Sequence, residues 1–289
     1  MIWLVGNKGM LGIEMQNALQ QKNLSFIATD IELDICNIDK LREFLGEKEI
    51  EWIINCSAYT NVEKAEEEID LAFKINSDGP RNLALIAKEN NAKLIHISTD
   101  YVFDGEKQSL YFEEDEPDPQ NIYGLTKLKG EHLIQEIFKE YFIIRISWLI
   151  GFYKSNFLYA ILKQFENKDT LNVVSDQFGS PTFAADLSEF VLFIIEQNSE
   201  QFGVYHFSCE DKISWFDFAE KIYNYAKKYE ITQKNIQILP VPSSEYPSKV
   251  KRPYNSYLSK EKIKTTFGIK VPFWKDSLEL FMQELKSII

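Results

Sequence analysis

Over residues 1–150, short apolar runs alternate regularly with amphipathic stretches, and this alternation constrains the fold more than any other feature of the chain. The apolar runs predict five strands, at 2–6, 25–29, 51–56, 93–98 and 142–147. Their bulky, often β-branched residues are typical of a sheet that is covered on both faces. The stretches between them predict helices at 10–22, 37–46, 69–90 and 122–139. This order predicts an α/β fold with a Rossmann-type, doubly wound parallel sheet.

Three glycines follow the first predicted strand and open the first predicted helix. Gly6, Gly9 and Gly12 have the spacing GxxGxxG. In a dinucleotide site the first glycine permits a tight turn, the second lets the backbone approach a pyrophosphate, and the third allows close helix–strand packing. The helix N-terminus then faces the phosphates. A plain turn would also explain three glycines, so the prediction depends on its context.

An acidic residue supplies part of that context. Asp30 ends the second predicted strand, about 20 residues after the glycines, where a carboxylate can bind the ribose hydroxyls of the adenosine. A helix cap or a turn is the alternative explanation. As a ribose ligand Asp30 favours NADH, because a carboxylate repels a 2′-phosphate. Lys8 could offset that repulsion, so NADPH remains a possible cofactor. Asp34 and Ile35 could contact the adenine, and the small residues of the 55–60 segment would let a dinucleotide lie against the strand ends.

After residue 150 the alternation becomes less regular. Helices are predicted at 155–167, 184–197, 214–229, 259–266 and 274–287, and short strands at 171–174, 203–207 and 236–239. We therefore expect an NAD(P)-binding Rossmann domain at 1–150 and a smaller, mainly α-helical portion at 151–289. The second portion would mainly bind substrate, with some of its segments returning to the first domain.

A tyrosine and a lysine four residues apart suggest the chemistry. Tyr123 and Lys127 share one face of a predicted helix, where the ammonium would lower the pKa of the phenol. Hydride transfer to a carbonyl needs a proton donor at its oxygen, and Tyr123 fits that role. Lys127 would also hold the nicotinamide ribose, and Thr99 at the end of the fourth strand could donate a second hydrogen bond. We assign Gly130 and Glu131, farther along this helix, to packing and solvent.

Composition and spacing argue against several other classes of protein. The formal net charge of −12 disfavours nucleic acid as a partner. No run approaches the ~20 apolar residues of a membrane span, and we expect no signal peptide. Three scattered cysteines fit reduced thiols in the cytoplasm. No metal-ligand spacing is visible, and His96, inside a strand, reads as a satisfied core residue. A hydrolase of the GxSxG type is excluded by the absence of that motif.

Several longer motifs carry a resemblance to a known family. The sequence resembles the extended short-chain dehydrogenase/reductases over nearly its whole length, and within them the dTDP-4-dehydrorhamnose reductase family. The matching segments are Gly9–Gly12, Asn55–Thr60, Lys64–Glu66, Ser98–Gly105, Tyr123–Gly124, Lys127, Gly130–Glu131, Arg145–Trp148, Asn156–Phe157, Asp176–Thr182 and Arg252–Pro253.

The resemblance implies reduction of the 4-keto group of dTDP-4-dehydro-β-L-rhamnose with NADPH or NADH, which gives dTDP-L-rhamnose for cell-surface polysaccharide. It assigns the pyrophosphate to the backbone of Gly9, Met10 and Leu11. It places Asp30, Asp34 and Ile35 at the adenosine, Ala58, Tyr59 and Thr60 along the cofactor, and Tyr123 with Lys127 at the proton and the ribose. Thr99, Asp100 and Trp148 would face the sugar, although Trp148 could equally be a core residue. Arg252 would bind the diphosphate or else form a surface salt bridge.

Some positions leave other functions open. Asn55-Cys56-Ser57 stands where the family usually has NAA, Glu63 replaces a usual Asp, and Ile150 a common tyrosine. Glu14 matches a position that helps bind magnesium in some dimeric members, but Ala185 occupies another, so we expect a monomer or a metal-free homodimer. The alternatives are a non-catalytic, NADP-binding regulatory subunit of the methionine adenosyltransferase β type and a reductase of another keto-sugar nucleotide. A related epimerase or 4,6-dehydratase is a third, and Tyr101 after Asp100 weighs against dehydration.

Overall fold

A computed structural model describes residues 1–246 and 248–288. Its main sheet has six parallel strands, and their spatial order is β2-β1-β3-β4-β5-β10. The strands of this sheet are β1 (Ile2–Val5), β2 (Phe26–Thr29), β3 (Trp52–Asn55), β4 (Lys93–Thr99), β5 (Tyr141–Ile146) and β10 (Gly203–Phe207). The α/β fold with a parallel, doubly wound sheet is therefore confirmed.

Helices cover both faces of this sheet. The helices of the first half are α1 (Met10–Gln21), α2 (Ile38–Leu45), α3 (Val62–Ala65), α4 (Ile69–Phe73), α5 (Gly79–Glu89) and α6 (Ile122–Ile137). Residues of α2, α5 and α6 pack with the sheet in one buried cluster, whereas α1 and α8 (Ala184–Glu196) belong to the cluster on the other face. The helix α8 and the strand β10 thus come from the second half of the chain.

The predicted helix at 69–90 is interrupted. The helices α4 and α5 are joined by a π-helical turn, Lys74–Asp78, rather than by a continuous α-helix. Pro80 lacks the backbone N–H that an α-helix interior requires, so it is accommodated in the first turn of α5. The π turn has a consequence for the site, because it carries Asn76.

A second buried cluster lies in the C-terminal half. It contains residues of α7 (Phe157–Asn167), α9 (Trp215–Lys228) and α11 (Trp274–Ile288). Short two-stranded pairs accompany it: β6 (Leu149–Ile150) with β9 (Thr182–Phe183), β7 (Thr170–Val174) with β12 (Gln237–Val241), and β8 (Phe178–Gly179) with β11 (Ile213–Ser214). The helix α10 (Glu261–Phe267) packs by Ile263 on the cluster of the main sheet.

Candidate active site

The carboxyl ends of the first five strands surround a cavity of about 1100 Å³, which we call the strand-end cavity. Val5, Asp30, Cys56, Thr99 and Ile146 each line it just where a strand of the sheet ends. Between β1 and β3 the strand order changes direction, and this is where open α/β sheets bind their ligands.

The glycine loop forms one wall of this cavity, and two of its glycines are required by their surroundings. Gly6 has a φ of +82°, and a Cβ there would lie 2.6 Å from the backbone nitrogen of Ser57. A Cβ on Gly12 would lie 2.0 Å from the Gly6 carbonyl oxygen. Gly12 therefore serves helix packing and, among the described residues, does not line the cavity, whereas Gly6, Gly9, Met10 and Leu11 do.

The N-terminus of α1 is available to an anion. The N-cap residue of α1 is Gly9, which has no side chain to accept a hydrogen bond from the first turn. That turn also contains no acidic residue. By contrast, Asn121 caps α6 and Asn156 caps α7 with their side chains. Met10 and Leu11, whose backbone N–H groups have no partner within the helix, line the cavity, which suits a pyrophosphate.

Predicted adenosine residues meet at one end of the cavity. Asp30, Asp34 and Ile35 all line it, although Asp34 also lies 3.7 Å from Lys74 Nζ. Ile31 lines it too with 88% of its surface exposed. Sequence reasoning missed Ile31, and its signal was an apolar residue directly after the ribose-binding candidate Asp30.

The segment after β3 matches the prediction except at one residue. Ala58 and Thr60 line the cavity, but the Tyr59 side chain is not among the described residues that do so. Its hydroxyl donates a hydrogen bond to Glu68 at 2.6 Å, which holds it away. Tyr59 therefore departs from its predicted place along the cofactor, and its backbone amide and carbonyl both bond the Asn76 side chain. Asn76 was not predicted, because the π turn that presents it leaves no periodic pattern.

The predicted reacting groups converge at the other end of the cavity. Tyr123, Lys127, Thr99 and Asp100 line it together, with Trp148 beside them. Burial raises the pKa of Tyr123 above its ordinary value, and a hydrogen bond with the Thr99 hydroxyl opposes this shift only partly. The predicted lowering of the Tyr123 pKa by Lys127 is therefore wrong. A raised pKa keeps the phenol protonated near neutral pH, as a proton donor must be.

Lys127 is almost completely buried and belongs to a hydrogen-bonded chain. Its Nζ donates to the Ile97 carbonyl at 2.6 Å and lies 3.3 Å from Nε2 of His96. Asn55 accepts the Ser57 amide through Oδ1, so its Nδ2 donates to Nδ1 of His96 at 2.9 Å. With Nδ1 accepting, neutral His96 carries its proton on Nε2, which can donate to Lys127 only when Lys127 is the uncharged amine.

Burial also controls the ionisation of these groups. It lowers the pKa of Lys127 to about 8 and keeps that of His96 well below its usual value. His96 is a satisfied core residue, as predicted, but the sequence did not show that it touches Lys127.

Asp100 is the buried carboxylate of the site. Its Oδ1 accepts a hydrogen bond from Thr99 at 2.9 Å, whereas its buried Oδ2 lacks a hydrogen-bond partner among the described residues. Burial raises the pKa of Asp100 to about 6. A buried carboxylate oxygen without a hydrogen-bond partner costs folding free energy unless a ligand donates to it. A sugar hydroxyl could be that donor.

Trp148 separates the strand-end cavity from a second cavity of about 1140 Å³. The indole of Trp148 stacks on that of Trp215, with centroids 3.5 Å apart, and Trp215 lines the second cavity. Trp148 has a φ of +49°, and a Cβ on Gly179 would lie 2.8 Å from its ring. Gly179 thus makes room for an indole at the cavity wall.

Arg252 does not line the strand-end cavity. It lines the second cavity, where its Nη2 lies 3.5 Å from Glu63 Oε1. The salt bridge that the sequence left open is therefore present, inside a cavity that could also hold a phosphate.

Comparisons with known proteins agree with this geometry. The family model described as "RmlD substrate binding domain" matches residues 1–287. The chain belongs to the dTDP-4-dehydrorhamnose reductase family. The family member from Aggregatibacter actinomycetemcomitans is 35% identical over 96% of both chains. The crystal structure of the Clostridium acetobutylicum member is 38% identical, with a TM-score of 0.93 over 99% of both chains. The Bacillus anthracis member, solved in complex with NADP, is 37% identical, with a TM-score of 0.92 over 98% of both chains.

In this family member, Glu131 also differs from its prediction. Glu131 is not at the solvent: it is fully buried, and its carboxylate accepts two hydrogen bonds from Arg145 Nε and one from Nη2, at 2.7–3.1 Å. Ser98 also donates to this carboxylate. The ion pair joins α6 to β5 behind Lys127, and a buried charge requires such a partner. Gly130 does serve packing, since a Cβ there would lie 2.2 Å from the Asn76 carbonyl oxygen.

Two features are absent from the described residues. Among residues 1–246 and 248–288 of this family member, no helix is long and apolar enough to cross a membrane. The same residues contain no group of three or more His, Cys, Asp or Glu side chains that could hold a metal ion. Glu14, the residue at a magnesium-linked position of some dimers, instead accepts the Phe152 amide at 3.4 Å.

Proposed function

We propose that the chain reduces the 4-keto group of dTDP-4-dehydro-β-L-rhamnose to the alcohol of dTDP-L-rhamnose, using NADH or NADPH. The observation that carries this proposal is the meeting of Tyr123, Lys127 and Thr99 in the same cavity as the glycine loop and Asp30. The family to which the chain belongs supplies the substrate class.

The cavity has the features that a nicotinamide dinucleotide needs. The uncapped N-terminus of α1 suits the pyrophosphate, and Gly6 permits the close approach of backbone. Asp30 would bind the hydroxyls of the adenosine ribose, and Lys127 would bind those of the nicotinamide ribose. When bound, the reduced cofactor supplies the hydride that is added to the carbonyl carbon.

The chain's own residues supply the proton and the orientation. Tyr123 donates its proton to the carbonyl oxygen as the hydride arrives, and the phenolate that remains is reprotonated from solvent. Thr99, whose hydroxyl donates to Asp100 in the structure, would turn that proton to the same oxygen and orient it. Asp100 accepts a sugar hydroxyl, and Trp148 offers an apolar face to the deoxysugar methyl.

The second cavity would hold the nucleotide of the substrate. Residues 151–289 contribute most of its lining, including Phe157 and Trp215, and this supports a mainly substrate-binding portion beside the Rossmann domain at 1–150. Arg252 would exchange its exposed partner Glu63 for the diphosphate, whose oxygens match the planar guanidinium. Trp148 and Trp215 then lie where the sugar and the nucleotide join.

We expect this enzyme to act in the cytoplasm, as a monomer or a homodimer without a bridging metal. Its product would serve polysaccharide synthesis, the role implied by the family. The three cysteines carry free thiols, which fits a reducing compartment.

The test is oxidation of reduced nicotinamide, followed by absorbance, with dTDP-4-dehydrorhamnose made in situ. We expect turnover in the wild type and a loss of at least ~10²-fold in Tyr123→Phe, the usual scale for a lost general acid. Cofactor titration of the same variant is the control, because the phenyl ring should leave binding intact. Near-normal turnover in Tyr123→Phe would contradict its role. Cofactor binding without any turnover in the wild type would favour a binding subunit or another keto-sugar nucleotide.

A further inference from the structure

Three charged residues lie together at the adenosine end of the strand-end cavity. Lys8 and Asp30 line the cavity, and Glu32 sits beside them. The Nζ of Lys8 lies 2.8 Å from Oε2 of Glu32. The other oxygen of Glu32, Oε1, accepts the backbone amide of Asp30 at 2.8 Å. Glu32 is thus tied both to the loop cation and to the end of β2.

Asp30 is fixed in place by backbone groups. Its Oδ2 accepts the amide of Lys8 at 2.7 Å, and its Oδ1 accepts the amide of Ile31 at 2.8 Å. Each carboxylate oxygen has a second lone pair, so Asp30 can still accept hydrogen bonds from ribose hydroxyls. It cannot turn away from a 2′-phosphate without breaking both backbone hydrogen bonds.

Lys8 is the cavity-lining cation beside Asp30 and is therefore placed to attract a 2′-phosphate, whereas Lys74, near the same end, lies 3.7 Å from Asp34. Lys127, which also lines the cavity, is held at the reacting end by the Ile97 carbonyl. With Lys8 paired to Glu32, two carboxylates and one ammonium surround the ribose position, a local charge of about −1. A phosphate monoester carries about −1.5 to −2 at neutral pH and is repelled there, whereas a hydroxyl is not.

We propose that Glu32 makes this chain prefer NADH to NADPH by holding Lys8 away from the ribose 2′ position. This inference rests on the proposed function, because it concerns the cofactor of the same site. Glu32 acts through Lys8, so it is a positioning residue. When Glu32 is neutral, Lys8 is free to turn to a 2′-phosphate.

The experiment measures dissociation constants of NADH and NADPH by fluorescence titration, without sugar nucleotide, in wild type and in Glu32→Gln. Glutamine keeps the length and the acceptor for the Asp30 amide but removes the charge. We expect NADPH to bind at least about threefold more tightly in the variant, the scale of one exposed charge pair, and NADH to bind unchanged. The gain should shrink as ionic strength rises. Unchanged NADH binding also shows that the variant is folded.

A double-mutant comparison separates the action of Lys8 from simple loss of a negative charge. In a Lys8→Met background, Glu32→Gln should give less than half of that gain on a logarithmic scale, because no ammonium is left to release. An equal gain in both backgrounds would overturn the proposal, since Glu32 would then act by direct repulsion alone. Equal changes for NADH and NADPH, or no change for either, would overturn it as well.

The outcomes also distinguish this inference from the proposed function. Selective tightening of NADPH in Glu32→Gln, without turnover of the keto-sugar by the wild type, would uphold the cofactor inference and contradict the reductase. Turnover of the keto-sugar by a wild type that binds NADPH as tightly as NADH would uphold the reductase and contradict the cofactor inference. A wild type that binds neither cofactor would overturn both.

Discussion

The two cavities are almost equal in volume and opposite in construction. The strand-end cavity presents buried polar groups, since Lys127 is 1% and Asp100 4% exposed. The second cavity is lined by residues of α7 and β7 and by Ser243, Tyr246 and Arg252, and the side chain of Arg252 is 44% exposed. The polar groups at the reacting end of the strand-end cavity are thus buried, whereas Arg252 in the second cavity is exposed to solvent.

This difference separates chemistry from recognition. In the strand-end cavity, burial moves the pKa of Lys127 down to about 8 and that of Asp100 up to about 6, so ionisation is set by the fold. Proton transfer benefits from such preset ionisation. In the second cavity, solvent screens the Arg252–Glu63 pair, which leaves the guanidinium free to exchange one anion for another.

The largest expected effect comes from comparing the buried ion pair behind the strand-end cavity with the exposed ion pair of the second cavity. Glu131→Gln removes the buried partner of Arg145 and should lower the free energy of unfolding by about 3–5 kcal/mol, because a charge stays buried without compensation. Glu63→Gln removes the exposed partner of Arg252 and should lower it by no more than about 1 kcal/mol. Denaturant unfolding of both variants measures the difference. Similar losses in the two variants would show that the regions do not differ as described.

The next effect is a pH dependence of stability that comes from Asp100. Its folded-state pKa of about 6 lies above the unfolded value of about 3.9, so the folded state holds the proton longer. Stability therefore falls as pH rises between these two values, and the full loss of about 3 kcal/mol is present above pH 6. Asp100→Asn removes this loss. We expect the unfolding free energy of the variant, relative to wild type, to rise by up to about 3 kcal/mol from pH 4 to pH 7.

Asp104 supplies the matched control for that measurement. A hydrogen bond from the Tyr111 hydroxyl holds the pKa of Asp104 below its usual value. Its contribution to stability is therefore present above the unfolded pKa and is lost as pH falls, the opposite sign to Asp100. Asp104→Asn should lose stability relative to wild type as pH rises. The same trend in both variants would mean that Asp100 is not the buried, destabilising acid described here.

The regions also differ in how far the sequence predicts them. The five strands of the first half and the helices α1, α2 and α6 begin and end within about two residues of their predicted bounds, because a sheet buried on both faces leaves strong apolar runs. The short helix α3 was not predicted, and the π turn divides the helix predicted at 69–90. The residues that line the strand ends follow from those bounds. The Trp148–Trp215 stack and the Glu131–Arg145 pair could not be predicted, since their members are 67 and 14 residues apart and share no periodic pattern. The contact that holds the Tyr59 side chain away from the cavity, its hydrogen bond to Glu68, likewise leaves no periodic pattern in the sequence.

The smallest expected effect concerns binding in the second cavity. Arg252→Gln should raise the KM for the sugar nucleotide about tenfold and leave kcat within about twofold, because a diphosphate contact far from the carbonyl stabilises ground state and transition state alike. Arg252→Lys is the matched variant: it keeps the charge but loses the planar fork, so its KM should fall between the other two. Steady-state kinetics at saturating cofactor give both constants. A fall in kcat with unchanged KM would instead link Arg252 to the chemistry, and the division between a chemical cavity and a recognition cavity would no longer hold.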